Sequence, residues 1–598
     1  MERKMSNRNF ISALLACFVL FLAACQKSET ADQPSQTNSI APATIFVADK
    51  IITMEEDNPT AGAVAVRNGK IVAIGNDAAD VQSRIEGPTK IDTTYEDQVL
   101  MPGLIDPHLH PVMAAVLLPM EFITAEDWNL PRGDYLGVRT PEGYHKRLNS
   151  AIEEFDAENA KETPFFTWGW HHLWHGPITR QMLNEIDPTR PIFVWHRSFH
   201  EIITNDAGMA YMGYDTEEKF DAAIKEAKAD PGHANYEHGM ISESAGPVGL
   251  NKLSPLLLSN EHLAGGFAEL KQMIRQAGVT TIADMSTGVF TDFDTEAKIM
   301  AGAFENDDVP ARVLLVPVAH GMAFRTGSVE AAIASMEKRV ENWPYKKLLL
   351  NNRVKLLSDG AFFSQYMQMN PPGYLDGHEG KWIVEPKEMN RLGKAFWNAG
   401  YSIHTHVNGD MGLDVVLDSL EALQAEGTEE NQRYTLEHLG FSTEEQNLRI
   451  AKLGAAVSAQ PNYLYMLSDI YSEMGLGPER AHAISRLGSL ERNNVRVAFH
   501  SDLTMAPVDP LFLAWIATNR ENMEGDVVRP DEKMSLDAGL RAVTIDAAYV
   551  LGMEDEVGSI AVGKRADFTA LRQDPYEAGV QNLNKLEVSG TVFNGKKY

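Results

Sequence analysis

The middle of this 598-residue chain alternates between short runs of β-branched and apolar residues and longer amphipathic runs. The strand-like runs include residues 280–284, 312–317, 354–357, 402–406, 434–438, 455–458 and 495–499. Helix-like runs such as residues 413–426 lie between them. Regular alternation of this kind predicts a parallel α/β architecture. The length and the number of repeats favour a closed barrel over an open sheet, although periodicity alone does not decide between the two.

Both ends of this alternating region are rich in predicted strands. Residues 45–54 form a β-branched run, and residues 63–75 form two strand-like runs around Asn68-Gly69, a strong signal for a hairpin. Near the C-terminus, residues 566–571 and 588–596 predict strands and a second hairpin.

The N-terminal segment predicts export and lipid attachment. A basic start is followed by a short apolar run that ends in Leu22-Ala23-Ala24-Cys25, which resembles a bacterial lipobox. We expect residues 1–24 to be a lipoprotein signal peptide and residues 25–43 a flexible tether. The chain would then lie in the bacterial cell envelope, bound to the membrane through lipid on Cys25. Gln26 favours the outer membrane, facing the periplasm, and a plain secretion signal is the alternative.

Cysteine content and charge limit the possible chemistry. Cys17 and Cys25 are the two cysteines, and both lie in or next to the predicted signal peptide. The mature chain would contain no thiol, so a metal would need histidine, carboxylate or modified side chains as ligands. The net charge of -30 argues against a nucleic-acid partner, because phosphate binding needs clustered cations. No other apolar run is long enough to span a membrane.

Two His-x-His pairs are candidate metal ligands. Alternate residues of a strand point to the same side, so His108 and His110 would face one site together. His404 and His406 form the second pair. With 18 histidines in 598 residues, chance alone supplies about half of one such pair, so the spacing by itself leaves the matter open.

The order of several motifs resembles the amidohydrolase superfamily, and specifically amidohydrolase family 3, over about residues 44–598. The segments that carry the resemblance are residues 102–110, 354–360, 406–410, 436–438, 501–502, 542–548 and 558–567. The resemblance implies an α/β fold: a (β/α)8 TIM-like barrel with a small β-sandwich built from both chain ends. The implied boundaries are residues 44–100 and 546–598 for the sandwich and 101–545 for the barrel. An insertion at about residues 114–260 would cap the site.

The resemblance also assigns roles to individual residues. It implies one or two divalent metal ions, with zinc expected, held by His108, His110, Lys355, His406, His438 and Asp502. His108, His110 and Asp502 would bind the more buried ion, and His406 and His438 the second. Lys355 would bridge them after carboxylation by carbon dioxide, the alternative being an ordinary charged lysine. His438 could instead be a core histidine.

Catalysis is expected to depend on Asp502 and His200. Asp502 would take a proton from a metal-activated water and pass it to the leaving group, and His200 would stabilise an oxyanion. His404 is interpreted as packing behind His406. Trp168, Trp174 and the histidines between residues 171 and 175 could grip an apolar substrate or simply pack the insertion. His500 departs from the family pattern, which more often has a small residue there.

The expected function is therefore a metal-dependent amidohydrolase that cleaves a non-peptide C–N bond of a small molecule. One alternative keeps the enzyme but changes the bond to an ester, a lactone or a dipeptide, for which Arg197 is the candidate cation. The other alternative is a catalytically silent, lipid-anchored binding protein. An intact ligand set argues against that alternative. A homo-oligomer is left open.

Overall fold

The computed structural model describes residues 40–598. The predicted signal peptide, Cys25 and nearly all of the predicted tether lie outside these residues, so the lipid anchor stays a prediction. None of the helices in this described part has both the length and the hydrophobicity needed to cross a bilayer.

The strands alternate with helices along most of the chain. In chain order the strands are β1 (Ala43–Ile52), β2 (Thr60–Arg67), β3 (Lys70–Gly75), β4 (Thr89–Pro102), β5 (Leu104–Leu109), β6 (Glu121–Phe122), β7 (Trp128–Leu130), β8 (Gly133–Tyr135), β9 (Phe165–Trp170), β10 (Ile192–His196), β11 (Glu201–Thr204), β12 (Ala234–Asn235), β13 (Met240–Ser242), β14 (Val279–Thr287), β15 (Arg312–Pro317), β16 (Leu348–Leu350), β17 (Arg353–Leu357), β18 (Ser402–Val407), β19 (Tyr434–His438), β20 (Ala456–Ala459), β21 (Val497–Phe499), β22 (Phe568–Leu571), β23 (Val588–Phe593) and β24 (Lys596–Lys597).

The α-helices cover the segments between these strands. They are α1 (Ala78–Ser83), α2 (Pro111–Leu117), α3 (Pro141–Glu158), α4 (His172–His175), α5 (Arg180–Ile186), α6 (Asp206–Tyr211), α7 (Glu217–Glu226), α8 (Gly246–Leu257), α9 (Asn260–Gln276), α10 (Phe293–Phe304), α11 (Ala319–Thr326), α12 (Val329–Glu341), α13 (Pro386–Asn398), α14 (Asp410–Glu426), α15 (Glu444–Leu453), α16 (Asn462–Met474), α17 (Pro478–Ala481), α18 (Leu487–Arg492), α19 (Pro510–Asn519), α20 (Leu536–Arg541), α21 (Ile545–Leu551) and α22 (Pro575–Ala578).

Both ends of the described chain contribute to one seven-stranded sheet, in the order β24-β23-β22-β4-β1-β2-β3. Strand β4 pairs antiparallel with β22, placing Pro102 opposite Phe568. The hairpin between β2 and β3 turns at Asn68 and Gly69, whose φ angles of 53° and 74° match the type I′ turn that this dipeptide favours. The β-rich ends predicted from the sequence are confirmed, whereas a second, facing layer of the sandwich stays a prediction.

The middle of the chain forms two parallel sheets, which confirms the α/β class. One has the order β16-β15-β14-β5 and the other β17-β18-β19-β20-β21. Their strands are almost wholly buried, as expected where helices cover a parallel sheet. Helix α14 shows how such a cover forms: Leu413, Val416, Leu417 and Leu420 recur at helical spacing and are all buried.

The two parallel sheets approach each other at both of their edges. Val318, just after β15, forms a parallel bridge to Lys355 in β17. At the other side, the backbone N–H of Asp502 donates to the carbonyl of His108 at 2.9 Å. The hydrogen-bonded ladders nevertheless define two sheets, so the closed eight-stranded barrel stays a prediction.

The segment between α2 and α9 builds a layer of its own. Its six-stranded sheet has the order β12-β13-β11-β10-β9-β6, and β7 pairs with β8. Trp128, Trp168 and Trp195 are fully buried here, with Trp128 and Trp168 packed edge to face. Trp174 is also buried, so the packing interpretation of Trp168 and Trp174 fits the structure better than direct contact with a substrate.

Candidate metal and catalytic site

A pocket of about 240 Å³ opens at the carboxyl ends of the parallel strands. Its lining includes all the residues that the sequence marked as ligands or catalytic groups, namely His108, His110, His200, Lys355, His406, His438 and Asp502. These residues come from distant parts of the chain and converge because parallel strands end at one rim. Their roles remain predictions, but the structure brings the predicted set together.

One half of the site combines two imidazoles with a carboxylate. His108 lies near the end of β5, and His110 precedes α2. The Nε2 of His110 lies 3.0 Å from Oδ1 of Asp502, and the Nε2 of His108 lies 3.6 Å from the same oxygen. One ligand atom from each of the three residues fits within 4.8 Å of the others. Such spacing suits donors around one cation, because zinc binds imidazole nitrogen at about 2.0–2.1 Å.

The other half holds His406 and His438, at the ends of β18 and β19. Their ring centroids are 4.5 Å apart, and β18 and β19 are paired so that Val407 lies opposite His438. The Nδ1 of His438 lies 3.2 Å from Oε1 of Gln460, which leaves the other ring nitrogen free to act as a ligand. The Asn408 side-chain amide lies 3.0 Å from Nε2 of His406.

Lys355 is the most unusual group in the pocket. It is buried, and its Nζ has no hydrogen-bond partner among the described residues. Burial lowers the pKa of this amine from 10.5 to about 8, although Glu437 and Asp502 act in the opposite direction. A buried polar group without a partner is costly, and its position beside four imidazoles and a carboxylate fits a missing ligand. The donor set therefore fits a divalent metal.

Glu437 is a residue whose importance the sequence did not reveal. Its Oε2 lies 2.6 Å from Nδ1 of His108, and its Oε1 lies 2.6 Å from Nδ1 of His404. Burial alone would raise its pKa, but Lys355 and His404 lower it to about 2. An ionised carboxylate behind His108 holds the Nδ1 proton and leaves Nε2 to face the pocket.

Backbone conformation explains how neighbouring residues of β19 can both serve the site. His438 has a φ of 72°, in the left-handed region, so the regular alternation of side chains ends there. Asp502 has a φ of 52°. Non-glycine residues pay about 1–3 kcal/mol for such conformations, which persist where the surrounding structure holds them in place. The sequence carries no simple signal for these angles, because glycine occupies neither position.

Two further histidines support the ligands without lining the pocket. His404 is held behind the site by Glu437, which agrees with its interpretation as a packing residue. His500 places its Nε2 3.2 Å from Nδ1 of His438 and its Nδ1 2.7 Å from Oγ of Ser458. The departure from the family pattern at His500 thus adds a buried imidazole and leaves every predicted ligand in place.

His200 lies at the opening of the pocket, whereas Arg197 does not line the pocket. The Nδ1 of His200 lies 3.1 Å from Oε2 of Glu243, and the His200 side chain is 39% exposed at the opening. Arg197 is buried, donates to Glu126 and to the carbonyl of Met505, and is absent from the pocket lining. The expectation that Arg197 could receive a substrate carboxylate is wrong, because its hydrogen-bonding groups already face the protein.

Exchanging Glu437 for glutamine is expected to weaken metal binding by about 10–100-fold, the usual effect of losing a partner behind a ligand. An amide has one acceptor oxygen, so it can accept from His108 or His404 but not from both. Zinc affinity measured by competition with a chelator tests this. The exposed Glu430→Gln is the matched control. Unchanged zinc affinity in Glu437→Gln would show that Glu437 does not support the metal ligands.

Comparison with known proteins places the chain in a family. The sequence profile of the amidohydrolase family, in its third branch, matches residues 96–597. The chain belongs to the amidohydrolase family. It is 24% identical over 574 residues to an N-substituted formamide deformylase of Arthrobacter pascens, covering 92% of this chain and 97% of that one. It is also 23% identical to the protein LONG AFTER FAR-RED 3 of Arabidopsis thaliana, with 94% of each chain covered.

Solved structures support the same fold. An uncharacterized metal-dependent hydrolase from Pyrococcus horikoshii superposes with a TM-score of 0.65 at 19% identity, covering 89% of this chain and 98% of the other. A similar hydrolase from Pyrococcus furiosus gives 0.62 at 21% identity. The family predicted from the sequence motifs is therefore confirmed, and this amidohydrolase shares its α/β fold with these hydrolases.

Proposed function

We propose that this amidohydrolase is a metal-dependent enzyme that cleaves a non-peptide, amide-like C–N bond in an uncharged small molecule. The observation that carries the proposal is the pocket in which four imidazoles, the Asp502 carboxylate and the unpaired, buried Lys355 amine meet. The similarity to a formamide deformylase supports the choice of bond.

The ligand types favour zinc. His108, His110 and Asp502 would hold one ion, and His406 and His438 would hold a second. Lys355 could bridge them once carbon dioxide has converted its amine to a carbamate. Imidazole and carboxylate are common ligands of catalytic zinc, and the described residues contain no cysteine to compete with them. When bound, such a metal lowers the pKa of water to about 7 and polarises a carbonyl.

The protein's own groups would move the protons. Asp502 lies beside both His108 and His110 at the pocket floor, where its carboxylate can accept a proton from water and return it to the leaving nitrogen. His200 stands at the opening, where its Nδ1 bonds the Glu243 carboxylate; in the doubly protonated form of the ring, Nε2 would donate to the substrate's carbonyl oxygen. No side-chain nucleophile is needed in this scheme.

We also propose that the two parallel sheets close into one (β/α)8 barrel, with the seven-stranded sheet as part of a small sandwich. The Val318–Lys355 bridge and the hydrogen bond from Asp502 to the His108 carbonyl support closure. Closure would hold Lys355 and Asp502 on one rigid rim, where barrels carry their active sites.

The rest of the pocket favours an apolar substrate. Its remaining lining is dominated by Met113, Phe199, Met285, Val289, Phe290, Phe362, Phe363, Ile383 and Met505. Among the lining residues Lys355 is the one lysine or arginine, and it belongs to the metal site. A substrate carboxylate would therefore lose its hydration without gaining a lysine or arginine partner in return.

A pair of anilides tests this selectivity. We expect formanilide to be hydrolysed with a kcat/KM at least about tenfold above that of 4-carboxyformanilide, which corresponds to about 1.4 kcal/mol. The two compounds share the scissile bond, so the comparison isolates the charge. Equal rates, or preference for the carboxylate, would contradict the apolar pocket but leave the hydrolase proposal standing.

An ester or lactone is the second candidate substrate class, because the same groups could attack it. Phenyl formate, matched to formanilide, decides between the bonds. The dipeptide alternative has no support, because Arg197, the cation expected to bind the substrate carboxylate, is already paired with Glu126. The silent binding protein is disfavoured because every predicted ligand lines the pocket.

Elemental analysis of the purified full chain, with mass spectrometry of Lys355, is the direct test. Two zinc ions that depend on the pocket histidines, and an added carboxyl group on Lys355, are the expected result. One such ion without the carboxyl group would keep the hydrolase but remove the bridge. Failure to bind zinc in the pocket would overturn the proposal.

We further propose that the chain is anchored in the bacterial cell envelope by lipid on Cys25, facing the periplasm. The support is the sequence Leu22-Ala23-Ala24-Cys25 after a short apolar run. Incorporation of labelled palmitate that disappears in Cys25→Ser is the expected result. Labelling that persists in this variant would exclude Cys25 as the anchor.

A further inference from the structure

A second histidine cluster lies in the insertion, separate from the pocket ligands. His171 and His172 stand at the start of α4, and His196 is the last residue of β10. The three ring centroids are 4.9, 5.1 and 5.6 Å apart, and one ring nitrogen from each residue fits within 4.8 Å of the others. None of the three lines the pocket, and the sequence motifs gave them no role as ligands.

The distance between two of the nitrogens suits a shared cation. Nδ1 of His172 lies 3.4 Å from Nε2 of His196. N–H···O hydrogen bonds are usually shorter, at about 2.9–3.0 Å, so this contact is a long hydrogen bond between the two rings. Two imidazoles bound to tetrahedral zinc at about 2.0–2.1 Å are held about 3.3–3.4 Å apart.

A metal would have to replace some of the hydrogen bonds around the cluster. Nδ1 of His196 accepts from the Ser198 backbone N–H at 3.1 Å and lies 2.8 Å from Oγ of Ser198, so binding through Nε2 requires Nδ1 to carry the proton and donate to that oxygen instead. Nε2 of His171 lies 2.9 Å from the carbonyl of Phe363 and can donate to it. Nδ1 of His171 then carries a lone pair that accepts from the Leu173 N–H at 3.2 Å, the N-cap hydrogen bond of α4, which a cation would have to displace.

The electrostatic surroundings keep these imidazoles neutral. Burial lowers the pKa of His171 and of His196 well below the ordinary value, and the neighbouring histidines lower it further. No carboxylate pairs with any of the three among the described residues. Neutral imidazoles are the form that binds metal ions.

We propose that His171, His172 and His196 form a second metal site that takes a divalent transition ion, with zinc favoured by the all-imidazole ligand set. His172 is exposed, so the fourth position opens to solvent and would hold water. The ion fastens the start of α4 to the end of β10. Because residues 198–200 directly follow β10 and line the pocket, this clamp steadies the wall that carries His200.

Zinc stoichiometry of the full chain tests the site. After dialysis against micromolar zinc, His172→Ala is expected to retain about one equivalent less than the wild type, and so is His196→Ala. His172 is the better test residue because it is exposed, so its loss should spare the fold. His238→Ala is the matched control, since His238 is exposed in the same insertion and outside the cluster.

A second variant separates this site from the pocket. A chain with His108→Ala and His110→Ala is expected to retain the insertion zinc, and its cobalt form should keep the visible absorption of a tetrahedral ion. His406 and His438 could still hold an ion in that chain, so adding His172→Ala should lower the cobalt absorption by about one equivalent. Equal zinc content in wild type and His172→Ala would overturn the second site and show a hydrogen-bonded histidine cluster instead. That result would leave the hydrolase proposal untouched.

Discussion

Replacing Asp502 with asparagine is expected to abolish turnover while leaving the fold intact. Asparagine keeps the shape of the side chain but cannot take a proton from water. Loss of a general acid–base group usually costs about 10²–10⁴ in rate, and the weaker amide ligand should add to this. We therefore expect kcat/KM to fall by at least about 10³-fold, measured on a substrate found with the anilide pair.

Metal content and a matched variant make the Asp502 result interpretable. Asp469→Asn is the control, because it makes the same chemical change on the exposed side of α16. Circular dichroism should show an unchanged fold for both variants. If Asp502→Asn kept its metal and its activity, the assignment of Asp502 as the base would be wrong.

Replacing Lys355 with methionine is expected to have the other large effect. Methionine fills the buried space but cannot form a carbamate, so the chain should lose the bridge between the two ions. Loss of a group that supports a metal ligand usually costs about 10–100-fold in activity. We expect Lys355→Met to lower kcat/KM by more than this. About one equivalent of zinc should be lost as well, as measured by elemental analysis.

The control for Lys355 is Lys298→Met, an equivalent change at an exposed position of α10. Full activity in Lys355→Met, with undiminished zinc, would show that the buried lysine has no role in binding metal. The unpaired amine would then be a tolerated buried group.

The pH dependence of reconstitution offers an independent check on Lys355. Carbon dioxide reacts with the neutral amine, and burial lowers the pKa of Lys355 from 10.5 to about 8. The neutral fraction therefore rises as the pH rises towards about 8 and levels off above it. Metal-free protein given zinc and bicarbonate should regain activity faster over the same range. A rate that keeps rising to the ordinary lysine pKa would contradict the shifted value.

Much of the fold could be predicted because it depends on local patterns. The strands β14, β15 and β17–β20 coincide with apolar, β-branched runs, and α14 coincides with a run of helical periodicity. The Asn68-Gly69 hairpin formed as expected, because this dipeptide adopts positive φ angles at low cost. The order of the motifs was sufficient to predict the family.

The sequence predicted which residues form the candidate site but not how they are hydrogen-bonded to one another. His108, His110, Lys355, His406 and Asp502 were named from motifs, and all of them line one pocket. The sequence did not show that Glu437 joins His108 to His404, because strand alternation places Glu437 and His438 on opposite faces. The left-handed backbone at His438 breaks that rule.

Arg197 is a residue whose expected role the structure contradicts. A cation near a predicted catalytic segment suggested a partner for a substrate carboxylate, but its guanidinium is buried against Glu126, more than seventy positions earlier in the chain. Pairing between distant segments carries no local pattern, so the sequence could not reveal that this charge was already neutralised.

The sequence by itself determined which segments become strands and helices, which residue types stand at the strand ends, and which family the chain belongs to. These properties depend on side-chain periodicity and on motifs read along the chain. Only the tertiary structure decided that Lys355 is unpaired, that Glu437 supports two histidines, and that His171, His172 and His196 meet. Each of these depends on the packing of segments that are far apart in the sequence, and the hydrophobic effect that drives this packing does not specify individual polar contacts.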